Sequence, residues 1–435
     1  MTGTAVNWHT GERASRRTAE LAGGRTGARA NGFALAIAVG LAIVGTSSRV
    51  FAQVAIHAAE IHTMAGAPIS DGVVLIGRDG KIEKVGRAAD VAIPAGYRTL
   101  TAKVATPGLV DAHSVVGLAG AMNQPHDQMQ LELSAAIQPE LRAIDAYNAR
   151  ETLVEWLRVH GVTTVHTGHA PGALISGQTM IVKTVGNEVE DAVIVPVAAV
   201  ACTLGVDGLA EKGKAPGTRA KAVAMLRAEL LKAKDYVAKL AGPDDKRPAR
   251  DLRLETLGKV TSREVPLLIT AQRVVDIMDA LRIAKEFDIR IILDGAAESY
   301  LVLDQIKAAK VPVIVHPTMF RAGEETENLS FETPANLKKA GIPVALQSGY
   351  ETYVPKTRVV LFEAAEAAAN GLSFEDALSL VTIDAARILG IDKRVGSLEA
   401  GKDGDVALFD GDPFEFASHV TAVVINGVVV SEQTE

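Results

Sequence analysis

Between residues 105 and 390 the sequence alternates apolar runs of strand length with amphipathic runs of helix length. The later apolar runs are residues 265–269, 290–293, 311–315 and 343–347. Runs that are apolar throughout indicate strands buried on both faces, and intervening helices favour parallel pairing. About eight such strand–helix pairs predict an α/β fold, a (β/α)8 TIM-like barrel, rather than an open sheet.

The segments on either side of the barrel region have a different pattern from it. Residues 53–104 and 391–435 contain short strand-like runs with turn signals, and few helical patterns. In the first of these segments an Asp79-Gly80 pair separates two apolar runs, which is typical of a tight hairpin. The simplest arrangement is one small β-sandwich domain formed from both chain ends.

One segment interrupts the regular alternation of the barrel region. Residues 205–262 are charged, contain Gly-, Pro- and Lys-rich loops and include an amphipathic helix predicted at residues 219–240. We interpret this segment as a helical insertion in the barrel. A second clear amphipathic helix is predicted at residues 274–287.

The first 52 residues are typical of a targeting segment. Several arginines precede an apolar run at residues 33–45, which is shorter than the roughly 20 residues needed to span a bilayer. A basic region followed by such a run is typical of a signal peptide, and cleavage after Ala52 fits the small residues there. The alternative is an uncleaved membrane anchor. Residues 1–52 therefore predict a periplasmic or secreted protein.

Charge and cysteine content exclude some functions. The formal net charge is -7, and basic residues form no stripe, so a nucleic-acid partner is not expected. Cys202 is the single cysteine and lies in an apolar run, so no internal disulfide can form and the side chain reads as a small core residue.

Five motifs lie in order along the chain. They are residues 106–113, 161–165, 371–378, 382–390 and 396–408. In order and spacing these motifs resemble the amidohydrolase superfamily, and in particular its imidazolonepropionase-like branch. The first two are similar to that family's first two barrel strands, the next two to its last helices, and the fifth to its return into the β-sandwich. With the strands at both ends, the resemblance extends over nearly all of residues 54–435.

The resemblance implies a divalent metal, most often zinc, at the carboxyl ends of the barrel strands. Such a metal lowers the pKa of a bound water, which then attacks an amide-like or ester carbon. The family's ligands are two histidines on the first strand, one each on the fifth and sixth, and an aspartate on the eighth. At these positions the chain has His113 and Val115, then Thr270 or Ala271, then Asp294 or Gly295, and finally Gly349.

Most of the family's ligands are therefore replaced, and other side chains are candidates for a rebuilt site. His113, His166 and His169 end predicted strands, and Lys183 would serve as a carboxylated lysine if the fold turned it into the barrel mouth. The alternative for each histidine is a hydrogen-bonded residue without metal. His316, after the seventh strand, is a further nitrogen donor.

The remaining site predictions concern loops after the strands. We expect Asp294 or Glu351 to act as a catalytic proton shuttle, and Arg142, Tyr350 and Arg358 to contact substrate, because loops at this end of a barrel carry function.

Two functions remain open on the sequence alone. One is a hydrolase that acts on a carbon–nitrogen bond, or a related amide or ester bond, of a small molecule through one divalent metal. The other is a catalytically inactive homologue that binds a ligand without metal or pairs with an intact paralogue. The resemblance also implies an oligomer, either of identical chains or with such a paralogue.

Overall fold

A computed structural model describes residues 53–316, 322–350 and 360–433. The export segment predicted at residues 1–52 lies outside this part of the chain. The described strands are β1 (Val54–Ile61), β2 (Ile69–Ile76), β3 (Ile82–Arg87), β4 (Arg98–Pro107), β5 (Leu109–Ser114), β6 (Val162–Gly168), β7 (Ile175–Lys183), β8 (Val193–Thr203), β9 (Leu267–Thr270), β10 (Ile291–Gly295), β11 (Val313–Val315), β12 (Val344–Ala345), β13 (Val406–Phe409), β14 (Val420–Ile425) and β15 (Val428–Glu432).

The α-helices lie mainly between and after the strands of the middle region. They are α1 (Thr152–Val159), α2 (Val189–Ala192), α3 (Arg219–Leu240), α4 (Leu252–Thr261), α5 (Val274–Phe287), α6 (Leu303–Ala309), α7 (Thr333–Lys339), α8 (Val360–Ala369), α9 (Phe374–Leu380) and α10 (Ile383–Ile388). The helices predicted at residues 219–240 and 274–287 are confirmed as α3 and α5. No helix in these three stretches of chain has the length and apolar character needed to cross a membrane.

Strands from both chain ends form one seven-stranded sheet, in the order β15-β14-β13-β4-β1-β2-β3. We call it the end sheet. β4 lies at its centre, parallel to β1 and antiparallel to β13, which joins the N-terminal strands to the C-terminal ones. The predicted hairpin is confirmed as the antiparallel pair β2–β3. Gly80 in its turn has a φ of +75°, and a Cβ there would meet the carbonyl oxygen of Asn426 at 2.3 Å, so this position requires glycine.

The middle strands form an eight-stranded sheet that curves into a nearly closed barrel, in the order β12-β11-β10-β9-β8-β7-β6-β5. The first and last strands approach each other, since the Ala112 amide donates to the Leu346 carbonyl and the Gly349 amide to the His113 carbonyl, both at 3.2 Å. The TIM-like barrel with a second β domain from the chain ends is thus confirmed.

The barrel differs from the prediction in one strand. β7 runs antiparallel to both β6 and β8, whereas a (β/α)8 barrel has parallel strands throughout. The reason is local: residues 169–174 between β6 and β7 include Pro171 and Gly172 and form a short connection without a helix. A parallel crossover needs a dozen or more residues, so the chain reverses instead.

Small and branched side chains from the barrel strands pack together in the barrel interior. The end of the barrel where the parallel strands begin, which we call the barrel base, is covered by α10 through Ala385 and Ala386. The opposite end, where the parallel strands finish, is the barrel mouth. The interior side chains include Val110, Ala112, Ile181, Ala199, Leu268, Ile292, Ile314 and Ala345.

Candidate functional site at the barrel mouth

A cavity of about 460 Å³ opens at the barrel mouth. This is the end of the fold where the loops after the strands can converge on a ligand. The cavity is lined at the strand ends by His113, Thr270, Asp294, His316 and Gln347.

His113 and Asp294 form a buried pair across the mouth. His113 lies near the end of β5 and Asp294 in β10, and the His113 Nδ1 is 2.9 Å from the Asp294 Oδ1. Both side chains are almost fully buried. Burial opposes protonation of His113, but the charge and hydrogen bond of Asp294 outweigh it and raise the pKa of the imidazole. Both pKa shifts thus favour the charged form of the pair, an imidazolium beside a carboxylate.

Two further side chains complete the hydrogen bonding of Asp294. The Thr270 hydroxyl donates to its Oδ2 at 2.6 Å, and the Gln347 Nε2 donates to its Oδ1 at 2.9 Å. Burial alone would raise the pKa of Asp294, but His113 and these two donors hold it below its usual value. Both carboxylate oxygens are thus engaged by protein groups.

His166 lies next to His113, with ring centroids 5.6 Å apart, but both of its nitrogens are already in use. Its Nδ1 is 2.7 Å from the Ala112 carbonyl oxygen, and its Nε2 is 2.7 Å from the Thr179 hydroxyl. Burial and the nearby His113 charge lower the pKa of His166 to about 3. His166 is therefore a neutral structural residue here, and it would have to give up a hydrogen bond to ligate a metal.

His169 follows the end of β6 and is also buried, but it is not among the described residues that line the cavity. Neither ring nitrogen has a hydrogen-bond partner in the described part of the chain. Burial lowers its pKa, so the ring is held in the neutral form. The structure thus brings His113 and His166 together and leaves His169 outside the cavity.

Lys183 does not lie at the mouth, contrary to the expectation that the fold would turn it there. Because β7 is antiparallel, Lys183 at its end pairs with Thr164 near the start of β6, on the side of the barrel base. Its ammonium forms a salt bridge with Asp405 and lies 3.1 Å from Asp403, and the side chain is 1% exposed. The side chain of Lys183 is therefore bound to Asp403 and Asp405 at the base and is not placed to bridge a metal at the mouth.

Of the predicted substrate contacts, one lies in the cavity and one lies away from it. Tyr350 lines the cavity, and its hydroxyl accepts a hydrogen bond from the Gln130 Nε2 at 3.1 Å. Arg142 does not line the cavity formed by the described residues; it is exposed and donates to Asp145 at 2.8 Å. Glu351 and Arg358 lie outside the described residues.

Sequence reasoning missed Gln347 and Asp111. Gln347 follows β12, so the strand-end rule that selected Asp294 also applies to it. Asp111 lies two residues before His113 and accepts from the Ser348 amide at 3.0 Å and from the Ser348 hydroxyl, which ties β5 to the last strand. Burial raises the pKa of Asp111 to about 6, although the hydrogen bonds from Ser348 oppose this.

The outer rim of the cavity is acidic, which the sequence also did not reveal. Asp207, Glu324 and Glu325 come from loops after β8 and β11. Burial raises the pKa of Asp207, and the charges of Glu325 and Glu324 add to this. Glu325 is neutralised by Arg219, whose Nη2 lies 2.7 Å away.

Comparison with known proteins agrees with this architecture. An amidohydrolase from Thermotoga maritima MSB8 superposes with a TM-score of 0.81 at 29% identity, over 87% of this chain and all of that one. The imidazolonepropionase of Rhizorhabdus wittichii is 27% identical over 81% of this chain and 92% of that enzyme. The model of the amidohydrolase family matches residues 270–431.

The chain belongs to the amidohydrolase superfamily. Its relatives place it on the imidazolonepropionase-like branch. The imidazolonepropionase of Alkaliphilus oremlandii is 30% identical over 28% of this chain, and the match spans only 30% of that enzyme's length. These relatives support a hydrolase that acts on carbon–nitrogen bonds.

Amidohydrolases generally use a divalent metal, but the described residues of this member do not fit one. The Nε2 of His113 is buried without a hydrogen-bond partner and would offer one electron pair when deprotonated. A catalytic metal needs about three protein ligands. In residues 53–316, 322–350 and 360–433, no three His, Cys, Asp or Glu side chains are grouped closely enough to hold an ion.

Proposed function

We propose that this amidohydrolase homologue binds a small molecule at its barrel mouth through hydrogen bonds, without the metal-activated water of its relatives. The observation that carries the proposal is the bonding of Asp294. Three protein donors, on His113, Thr270 and Gln347, already bind this carboxylate, so it is less available to a metal than a free aspartate would be. The chain is then the inactive, ligand-binding alternative of the two that the sequence left open.

The mouth offers donors for a carbonyl-containing ligand. Because Asp294 holds the Nδ1 of His113, the protonated ring has its Nε2–H left to donate, and that atom has no protein partner within the described residues. Gln272 lines the same cavity and carries an amide group with two donors. Small cyclic amides, the substrate class that the resemblance implies, present a carbonyl oxygen that fits such donors.

Hydrolysis of a carbon–nitrogen bond is the second candidate, and the same Nε2 of His113 favours it. As water adds to the carbonyl carbon and the carbon–nitrogen bond breaks, His113 would protonate the leaving nitrogen, and the water's proton would restore the imidazolium. Asp294 would then position His113 rather than shuttle protons itself, because its pKa is held low. Glu351, which lies outside the described residues, keeps its proposed role as a proton shuttle.

Metal content of the purified protein gives the first test. After expression in metal-replete medium, elemental analysis of wild type, His113→Ala and His169→Ala should show far less than one metal equivalent in all three. His169→Ala is the matched control, because it removes a buried histidine outside the cavity. About one tightly bound equivalent that is lost only with His113 would contradict the proposal, since a structural zinc site is tight.

Ligand binding and turnover give the second test. A panel of small cyclic amides is screened by thermal unfolding, and a true ligand at about 100 times its Kd should stabilise wild type by about 2.7 kcal/mol. Asp294→Asn should lose this effect, whereas Asp304→Asn, at an exposed helix position, should keep it. Release of an amine from the same compounds, abolished in His113→Ala, would establish the hydrolase instead.

We also propose that residues 1–52 direct export to the periplasm or medium and that the chain assembles with itself or with an intact paralogue. The apolar run at residues 33–45 supports the first, and family resemblance supports the second. N-terminal sequencing of the native protein and its mass in solution test these two proposals separately.

A further inference from the structure

A second cavity, of about 790 Å³, lies at the barrel base. It opens between α5 and α6 and reaches the starts of β9, β10 and β11. The volume falls within the range of ordinary small-molecule sites. Because it lies at the opposite end of the barrel from His113, it is separate from the mouth. We call it the base cavity.

The base cavity is strongly basic. Five cationic side chains line it, whereas Asp288 is the one carboxylate among its described lining residues; the cations are Arg263, Arg282, Lys285, Arg290 and Lys310. The whole chain carries a formal net charge of -7, so the charge at this cavity is opposite in sign to that of the chain as a whole. Such a concentration of one sign of charge attracts ligands of the opposite sign.

Three of these cations have no carboxylate partner among the residues that the structure describes. Arg263 and Arg282 are held by Asp288 and Asp279, respectively. Lys285 and Lys310 form no ion pair with any described residue, and Arg290 has only a long hydrogen bond of 3.4 Å to a backbone carbonyl.

A purely structural role for these cations would be to cap the C-terminal end of α5. That role is already filled, because Lys234 donates to the Phe287 carbonyl at 3.0 Å and Arg263 donates to the Asp288 carbonyl at 3.1 Å. Lys285, in the last turn of α5, adds favourable charge there, but like Arg290 and Lys310 it donates to no helix carbonyl among the described residues, so all three remain available to an anionic ligand.

The inner wall of the base cavity is apolar. Met278, Leu281, Ile291 and Val311 form it together with Ile388 from the helix that covers the base. An apolar wall beneath a basic rim fits a ligand with an aliphatic body and an anionic head group. We propose that the base cavity binds an amphiphile of this kind, a single aliphatic chain that ends in a phosphate or carboxylate.

Calorimetric titration of the full chain with octyl phosphate, below its micelle concentration, tests the proposal. One equivalent should bind, and the affinity should fall as salt is raised, because added ions screen exposed charges beyond about 10 Å at 0.1 M. Octyl glucoside has the same tail without charge and should bind much more weakly. Equal binding of octyl glucoside would overturn the proposal.

Variants locate the site. Lys285→Gln with Arg290→Gln should weaken octyl phosphate binding about tenfold or more, as expected for lost hydrogen bonds to a charged group. Lys307→Gln is the matched control, since Lys307 is exposed on α6 but does not line the cavity. Ala308→Trp should block binding by filling the space, because Ala308 is exposed and lines it.

The mouth variant Asp294→Asn should bind octyl phosphate as wild type does, which separates this site from the proposed ligand site at the mouth. Besides equal binding of octyl glucoside, three outcomes would contradict the proposal. One is unchanged affinity in the double variant. Another is a change of molecular mass in that variant, which would make the base an interface between copies. The third is binding to vesicles of anionic phospholipid without binding of free octyl phosphate.

Discussion

The barrel mouth and the barrel base each bury a cluster of charges, and the two clusters differ in how completely their groups are paired. At the base, Lys183 lies between Asp403 and Asp405, while Lys81 and Arg394 reach Asp403 from other directions. At the mouth, the charged pair faces a cavity and leaves one polar atom of His113 without a described partner.

The difference lies in what each cluster joins. The base cluster connects β7 of the barrel to the chain segment that enters the end sheet, so its bonds hold two sheets together. The mouth cluster joins strand ends within one barrel, and its hydrogen bonds fix the orientation of the His113 imidazole. Complete pairing indicates a structural role, whereas a buried polar atom left unpaired in a cavity indicates a ligand, because an unsatisfied buried donor is costly.

The largest effect is expected from breaking the base cluster. Lys183→Met should lower the free energy of unfolding by about 3–5 kcal/mol, because it leaves buried carboxylates without their cation. Urea denaturation measures this. Lys81→Met is the control, since Lys81 is 40% exposed and binds the same Asp403, and it should cost far less. Equal losses in both variants would show that burial of Lys183 contributes nothing of its own.

Acid provides an independent reading of the same cluster. Burial would raise the pKa of Asp403, but Lys183 and the neighbouring cations hold it at about 2, below its usual 3.8. A lowered folded-state pKa stabilises the fold above the unfolded value, and the contribution is lost as pH falls from about 4 towards 2. In Lys183→Met this pKa should rise, so acid unfolding should begin at a higher pH than in wild type.

A smaller loss is expected from His166→Leu at the mouth. The change removes the His166 partner of the Ala112 carbonyl and leaves the Thr179 hydroxyl only its bond to the Ala199 carbonyl, so it should cost about 1–3 kcal/mol. His169→Leu is the comparison, because His169 is also buried, at 5% exposed, but neither of its ring nitrogens has a hydrogen-bond partner among the described residues. If the two variants lost equal stability, the hydrogen bonds of His166 would not account for the loss in His166→Leu.

The sequence predicted the barrel and the end sheet because both depend on patterns that repeat over many residues. It did not predict the reversed β7, because the apolar run that ends at Lys183 looks the same in either direction. That reversal alone placed Lys183 at the base rather than the mouth. The error in the site thus followed from an error in strand direction.

Within the mouth, the strand-end rule found His113 and Asp294, since carboxyl ends of parallel strands converge. It did not reveal that the two bind each other, because 181 residues separate them and their contact depends on barrel curvature. The acidic rim depends on loops, whose paths no periodic pattern fixes.

The smallest expected effect tests whether the position of Gln272 in the mouth matters for ligand binding. Gly295 lines the cavity with a φ of +73°, and a Cβ there would meet the Gln272 Nε2 at 2.4 Å. Gly295→Ala should cost about 1–2 kcal/mol for the left-handed backbone and should also displace Gln272. Gly341→Ala is a matched control, because Gly341 has a φ of +74° with no atom near the added Cβ. Both variants should lose similar stability, but only Gly295→Ala should weaken ligand binding at the mouth. Equal binding by the two would mean that Gln272 does not contact the ligand, and the donor set of the mouth would reduce to His113.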